Sequence, residues 1–279
     1  MLKEPDALVR QAAAFGLGEL GGPASARRLE QQLALEEARN DYDGASVVEA
    51  ISQALGRIEE ASARATLMRR LERLAASKPA LGDLSTVARA LWRKRHPDML
   101  PTVRRSLERI APVKSKSLQG LQLLLEKSPS ELLAWATDPS VPVEQKTGVI
   151  LLLEEELPEA LRPTLPAFIS AAHALAETAA SDRKGEAADF CDRLLGLLLL
   201  HREQLLPSFP QKTRSELYGL TRTLVATTAP ICFLGAAVLL QFIGRPEDAE
   251  LLEAHRPAEP ILAKVFDDAA RALRGLREP

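Results

Sequence analysis

A helical pattern that returns after 38 residues constrains this chain more than any other feature. Residues Asp6 to Gly22 read DALVRQAAAFGLGELGG, and residues Val47 to Ile58 read VVEAISQALGRI. With that shift Val9 falls on Val47, Ala12 on Ala50, Leu17 on Leu55, Gly18 on Gly56 and Leu20 on Ile58. The segments that follow also match, Leu29 with Leu67 and Leu33 with Leu71. Two helices per unit at a period of about 30–45 residues predict helical hairpins that stack, each covering an apolar face its neighbour cannot bury alone.

Local signals agree with helices. Asp6 is placed to cap the first helix, its carboxylate accepting from freed N–H groups. Val9, Ala13, Leu17 and Leu20 share one helical face, and Leu8, Ala12 and Phe15 a second, so this helix is expected to be covered on two sides. Arg10 follows Asp6 by four residues, the spacing of an intrahelical ion pair. Gly21 and Gly22 stop the helix, and Pro23 opens the next one where no N–H is needed. A polar loop, Asn40 to Gly44, is expected before the second unit. Aromatic residues are 4% of the chain, which leaves Leu, Ala, Val and Ile to build the core and suits helix-on-helix packing.

The string D-x-x-V-R-x-x-A-x-x-x-L-G-x-L-G, here Asp6, Val9, Arg10, Ala13, Leu17, Gly18, Leu20 and Gly21, resembles the HEAT repeat. The nearest variety is the HEAT-like repeat first described in phycobilisome lyases. The second unit keeps the Leu-Gly pair and has Val48 in place of Arg10. Towards the C-terminus, Ala236-Ala237, Leu240, Ile243, Gly244, Pro246 and Leu251-Leu252 resemble a further unit. Val265, Ala269-Ala270, Leu273 and Leu276 resemble a last helix. The resemblance implies an all-α fold, an α-solenoid of HEAT-like antiparallel helix pairs. Residues 1–279 would form one domain, with regular repeats over 1–76, degenerate helical repeats over 83–228 and a HEAT-like unit over 230–279. At the usual repeat length that is roughly fourteen or fifteen helices.

The middle is read from proline and capping signals. Helices are expected from Asp83, Pro97, Ser117, Ser128-Pro129, Pro142, Pro163 or Pro166, Gln211 and Pro230. Asp182 to Leu206 reads as the longest helix, its LLGLLLL stretch implying burial on nearly all sides. No segment reads as a strand. The first helix begins almost at Met1 and the last is expected to run to Pro279, so the terminal faces of the stack have little sequence to cover them. An end of the stack is therefore a place for a partner, or for more of a longer chain.

Several function classes lose support at this stage. The net charge of −2 gives no global field towards nucleic acid or membrane. Cys191 and Cys232 sit among apolar neighbours, as reduced core thiols of a cytoplasmic protein do. The N-terminus lacks an apolar leader, and the apolar run Ile231 to Ile243 is too short to span a bilayer. Gly16 to Gly21 matches GxGxxG, yet it lies at a helix C-terminus with no strand before it, the wrong polarity for a phosphate. Glu154, Glu155, Glu156 and Glu159 point around a helix instead of converging on one atom. His96, His173, His201 and His255 show no metal spacing, and Cys191 and His201 are about 15 Å apart along one helix. No catalytic motif, cofactor site or metal site is expected. High Ala, Leu and Arg content points to a GC-rich bacterial gene.

One stretch keeps two readings open. Residues 57–116 carry 15 Lys and Arg against 6 Asp and Glu. Its densest part is Trp92, Arg93, Lys94 and Arg95, with Arg104, Arg105 and Arg109 following. These residues either line a phosphate-binding groove, with Trp92 stacking on a base, or solvate the outer faces of Ala/Leu helices, with Trp92 in the core. The expected function is a non-catalytic protein-interaction scaffold using the concave face of the superhelix. The alternatives are nucleic-acid binding through the basic belt and, from the repeat resemblance alone, a phycobilin lyase-like subunit.

Overall fold

The first helix is capped by Asp6 and stopped by Gly21, and a later one is capped by Asp41. A computed structural model describes residues 1–39, 41–77, 80–182, 184–227 and 233–275. Among these residues there is no strand, and seventeen α-helices with three short 3-10 turns account for the regular structure. The chain divides into two compact units, Met1–Glu126 and Lys127–Pro279.

The first unit contains α1 (Ala7–Leu20), α2 (Gly22–Arg39), α3 (Tyr42–Arg57), α4 (Ala61–Ala75), α5 (Leu81–Arg93), α6 (Leu100–Ile110) and α7 (Lys116–Glu126). Asp6 caps α1 as expected, its Oδ1 accepting from the Leu8 N–H at 2.8 Å. Gly21 ends α1 at φ 65°, and Gly22 follows at φ 78°, both in the region that favours glycine. The polar loop before α3 is shorter than expected, because Asp41 caps α3 through the Gly44 N–H at 2.6 Å. Asn40 lies outside the described residues.

Helices α1, α3, α5 and α7 pack in succession, each on the next, and α2, α4 and α6 do the same. The repeated glycine sets the approach in the first row. A Cβ on Gly18 would lie 2.9 Å from the Ala54 Cα of α3, and one on Gly56 would lie 3.1 Å from the Ala90 Cα of α5. The Leu-Gly pair therefore marks a contact made once per unit. Between the rows lies an aliphatic core of Leu29, Leu33, Ile51, Leu55, Leu67 and Leu71, with Trp92 as its largest side chain. Each such side chain, fully buried, contributes about 1.5–3 kcal/mol.

The second unit contains α8 (Pro129–Thr137), α9 (Val143–Leu153), α10 (Leu165–Ala174), α11 (Ala176–Ser181), α12 (Glu186–Leu200), α13 (Arg202–Leu205), α14 (Gln211–Val225), α15 (Leu234–Ile243), α16 (Asp248–Ala254) and α17 (Pro260–Gly275). Here α9, α12, α15 and α17 follow one another, as do α8, α10, α14 and α16. Ser128 and Glu131 form a full capping box at the start of α8, with Pro129 in its first turn. The expected helix start at Pro230, the expected core thiol Cys232 and the expected end beyond Leu276 fall outside the described residues.

Three expectations are corrected here. The segment Asp182 to Leu206 is not the longest helix. It is split into α12 and α13 at His201, with Gly185 as the N-cap of α12, and α2 is longer at 18 residues. Nor is α12 buried all round: Phe190, Cys191, Leu194 and Leu198 face inward while Asp192, Arg193 and Leu200 are exposed. Helix α1 is also covered less than expected. Its buried residues are Arg10, Ala14 and Gly18, and Leu8, Phe15 and Leu20 are exposed.

Candidate interaction surfaces

The basic belt is held in place by carboxylates one repeat away. Arg57 of α3 binds Glu19 of α1 at 3.0 Å, and Arg73 of α4 binds Glu37 of α2 at 2.7 Å. Arg69 pairs with Glu30, and Arg105 of α6 reaches Glu72 of α4 at 3.8 Å. Arg64 binds Asp98 at 3.0 Å, Lys94 binds Glu59 at 3.1 Å and Arg104 binds Glu126 at 2.8 Å. Sequence separations of 33 to 39 recur in the pairs of Arg57, Arg69, Arg70 and Arg73. Packing of α1 on α3 and of α2 on α4 brings these side chains together.

Glu19, Glu30, Glu37 and Glu126 all lie outside residues 57–116, so the count along the sequence overstates the charge in space. The whole first unit has 20 Lys and Arg against 16 Asp and Glu. Exposed pairs of this kind contribute about 0.2–1 kcal/mol each, and their larger effect is to give the surface alternating sign.

The seven residues singled out in the belt separate by environment. Trp92 is 2% exposed and part of the core, and the Arg95 guanidinium lies over its ring at 4.7 Å from the centroid. Trp92 is therefore not available for stacking on a base, a correction to the first of its two readings. Lys94 is buried at 9% exposure with its ammonium on Glu59. Arg93 is half-buried, and Arg104, Arg105 and Arg109 are exposed on α6. Two of the seven, Trp92 and Lys94, are thus buried.

Two buried arginines have partners that sequence patterns do not show. Arg10 is 1% exposed and forms its ion pair with Glu36 of α2, not with Asp6. Its Nε donates to Glu36 Oε1 at 2.7 Å and its Nη2 to Oε2 at 3.2 Å. Its Nη1 donates to the carbonyls of Glu4 at 2.9 Å and Pro5 at 2.7 Å. Gln32 completes the carboxylate, donating to Oε1 at 2.6 Å. Asp6 is already engaged in capping, which is why the local pair does not form.

The second, Arg70 of α4, is 2% exposed and donates to Glu37 at 3.0 Å and Asp83 at 3.1 Å. It borders a cavity of about 580 Å³ together with Glu36, Glu37, Asp41, Tyr42 and Asp83. The Glu37 and Asp83 carboxylates there both accept from Arg70, and Glu37 also accepts from Arg73.

A larger open groove, about 1050 Å³, runs along α1 and α2. It is lined by Ala13, Gly16, Leu17 and Leu20 of α1 and by Gln31 and Leu35 of α2. Leu20 is 80% exposed and Leu35 57%, an apolar surface beside the ion-paired one.

In the second unit several carboxylates are also ion-paired, one of them in the acidic run. Glu154 lies 3.6 Å from Arg193, while Asp267 binds Arg256 at 2.7 Å and Asp268 binds Arg271 at 3.0 Å. The Arg256 hydrogen bond holds the Asp267 carboxyl below the usual carboxylate range. Burial pushes the Cys191 thiol up to about 12, with a smaller contribution from Asp192. Such a thiol is a core side chain, since the thiolate is the nucleophile. Burial, with Arg162 nearby, holds His201 below the usual histidine value.

Among the described residues, no group of three or more His, Cys, Asp or Glu is placed to hold a metal ion. No helix there is long and apolar enough to cross a membrane. Comparison with protein-family models, with curated proteins and with solved structures finds no match to this chain.

Proposed function

We propose that this chain is a non-catalytic protein-interaction module, a HEAT-like α-solenoid that meets its partner through the face made by its second helices. The recurring Gly18–Ala54 and Gly56–Ala90 contacts support the solenoid reading, as does the succession of α1, α3, α5 and α7 beside α2, α4 and α6. In such stacks the second helices offer an extended concave surface.

The observation that carries the reading is the alternation of sign across α2, α4 and α6. Glu30 and Glu37 on α2 meet Arg69 and Arg73 on α4, and Glu72 on α4 meets Arg105 on α6. A shallow groove of about 320 Å³ between α2 and α4 is lined by Glu30, Leu33, Ala34, Glu37, Thr66 and Arg69 among others. A polyanion gains from an array of one sign, through release of its counterions. A mixed array instead selects a protein surface with complementary charges in register and rejects others.

The test is affinity capture with the tagged full chain from lysate of the source cell, with and without nuclease. Its control is the Arg69→Glu/Arg73→Glu variant, in which exposed pairs are lost at a cost of about 0.2–1 kcal/mol each. The reading expects a specific polypeptide that survives nuclease and is lost with the variant, whose melting is little changed. Retention of nucleic acid alone, or of a tetrapyrrole, would replace the reading with one of its alternatives.

A further inference from the structure

The cavity beside Arg70 is walled by charged groups that already neutralise one another. It lies where α2 and α4 end and α3 and α5 begin, and Ala45, Val48 and Leu74 form the apolar part of its wall. Of its carboxylates, Glu36 is paired with Arg10 and Asp41 with Arg39. Glu37 and Asp83 share Arg70, and Glu37 also holds Arg73. Four carboxylates thus answer to four guanidiniums. An entering carboxylate or ammonium would add an unpaired charge to this balance, so the wall favours an occupant without net charge.

One donor in this wall is left over. Arg70 is 2% exposed, and its Nε and Nη2 donate to Glu37 and Asp83. Its Nη1 is buried and has no hydrogen-bond partner among the described residues. Buried donors in folded proteins nearly always have an acceptor, because one without it forfeits its hydration. The cavity that this guanidinium borders, about 580 Å³, lies within the span of about 300–1,000 Å³ common to sites for small ligands. Tyr42, the first residue of α3, lines it while 87% exposed, and so sets an aromatic ring and a hydroxyl at its mouth.

We propose that this cavity binds an amide group of a partner polypeptide, whose carbonyl oxygen accepts from Arg70 Nη1 and whose N–H donates to a carboxylate of the wall. An amide is neutral and carries an acceptor beside its donor, and a carboxylate accepts at about four lone pairs, so both ends find a counterpart. An Asn or Gln side chain and the main chain present the same pair of groups. The inference rests on the protein-interaction reading. The cavity shares Glu37 and Arg73 with the shallow groove between α2 and α4 on which that reading draws.

NMR titration of the full isotope-labelled chain with blocked pentapeptides, acetyl-Ala-Ala-X-Ala-Ala-amide with X as Gln, Ala, Glu or Lys, tests this. The Gln and Ala peptides are expected to shift the amide signals of Tyr42 and Val48 saturably. A Gln peptide that binds about tenfold tighter than the other three names the side chain as the source of the amide, and equal binding of all four names the main chain. Ala45→Trp, at an exposed position of the wall, fills the cavity and is expected to abolish the titration with melting little changed. No saturable shift with any peptide, tightest binding of the Glu or the Lys peptide, or a titration that Ala45→Trp leaves intact overturns the proposal. A partner captured from lysate equally by wild type and by Ala45→Trp removes the cavity from the interface while the interaction reading stands.

Discussion

Removing Glu36 should destabilise the first unit more than removing Arg10, and removing both should destabilise it least. Arg10 and Glu36 are each about 1% exposed, so water does not screen the pair. Glu36→Leu leaves a buried guanidinium with the Glu4 and Pro5 carbonyls as its partners. An uncompensated buried charge of this kind costs about 3–5 kcal/mol. Arg10→Met leaves a carboxylate that keeps Gln32 at 2.6 Å and has Arg39 at 3.7 Å. The residual partners bring that cost down to about 2–3 kcal/mol. In Arg10→Met/Glu36→Leu no charge is stranded, so the double variant should lie within about 1–2 kcal/mol of wild type. The assay is urea unfolding followed by the fluorescence of Trp92, in a Trp135→Phe background. Trp92 is a core residue of the first unit, so the signal reports that unit by itself. Single variants within about 0.5 kcal/mol of wild type, or a double variant that costs their sum, would refute the reasoning.

Two further outcomes follow from packing and burial. Gly16→Ala should leave the chain as stable or up to about 1 kcal/mol more stable, because Ala is the better helix former and the new Cβ meets no atom. Gly18→Ala, two residues on, should destabilise by about 1–3 kcal/mol, because its Cβ would press on the Ala54 backbone at 2.9 Å; thermal melts with equal effects at the two sites would contradict the row contact. In a Cys232→Ser background, iodoacetamide at about pH 8 should leave native Cys191 unmodified and label it in urea, since burial holds the thiol protonated up to about 12. Equal labelling rates with and without urea would show that the thiol is open.

The sequence made the helices and the repeat legible because both rest on local rules. Asp6, Gly21, Ser128 and Pro129 act within a few residues of where they stand, and they cap or stop helices as those rules require. The Leu-Gly pair was legible as packing because it recurs, although the residue it packs against, Ala54 or Ala90, comes from the fold.

What was missed depends on distance in space. Arg10 looked like half of a local pair with Asp6, but the partner that buries it, Glu36, is 26 residues away. The belt over 57–116 looked strongly basic because its balancing carboxylates, Glu19, Glu30, Glu37 and Glu126, lie on helices outside the window. Searching for opposite charges one repeat period apart would have found most of those pairs. Leu20 and Ile58 hold the same place in the repeat, yet one is 80% exposed and the other buried, because α1 has no helix on its far side in this chain. The split of the Leu-rich segment at His201 had no proline or glycine to announce it.

On the reading proposed above, the basic belt is part of an ion-paired protein surface and forms no phosphate groove. Fluorescence-anisotropy titration of the full chain with labelled duplex DNA and single-stranded RNA, at low and at physiological salt, tests it most directly. The expected result is no saturable binding at physiological salt and only a weak, non-saturable rise at low salt, in wild type and in Arg93→Glu/Arg95→Glu alike. Saturable binding with a steep loss on adding salt, abolished by those two reversals, would contradict it.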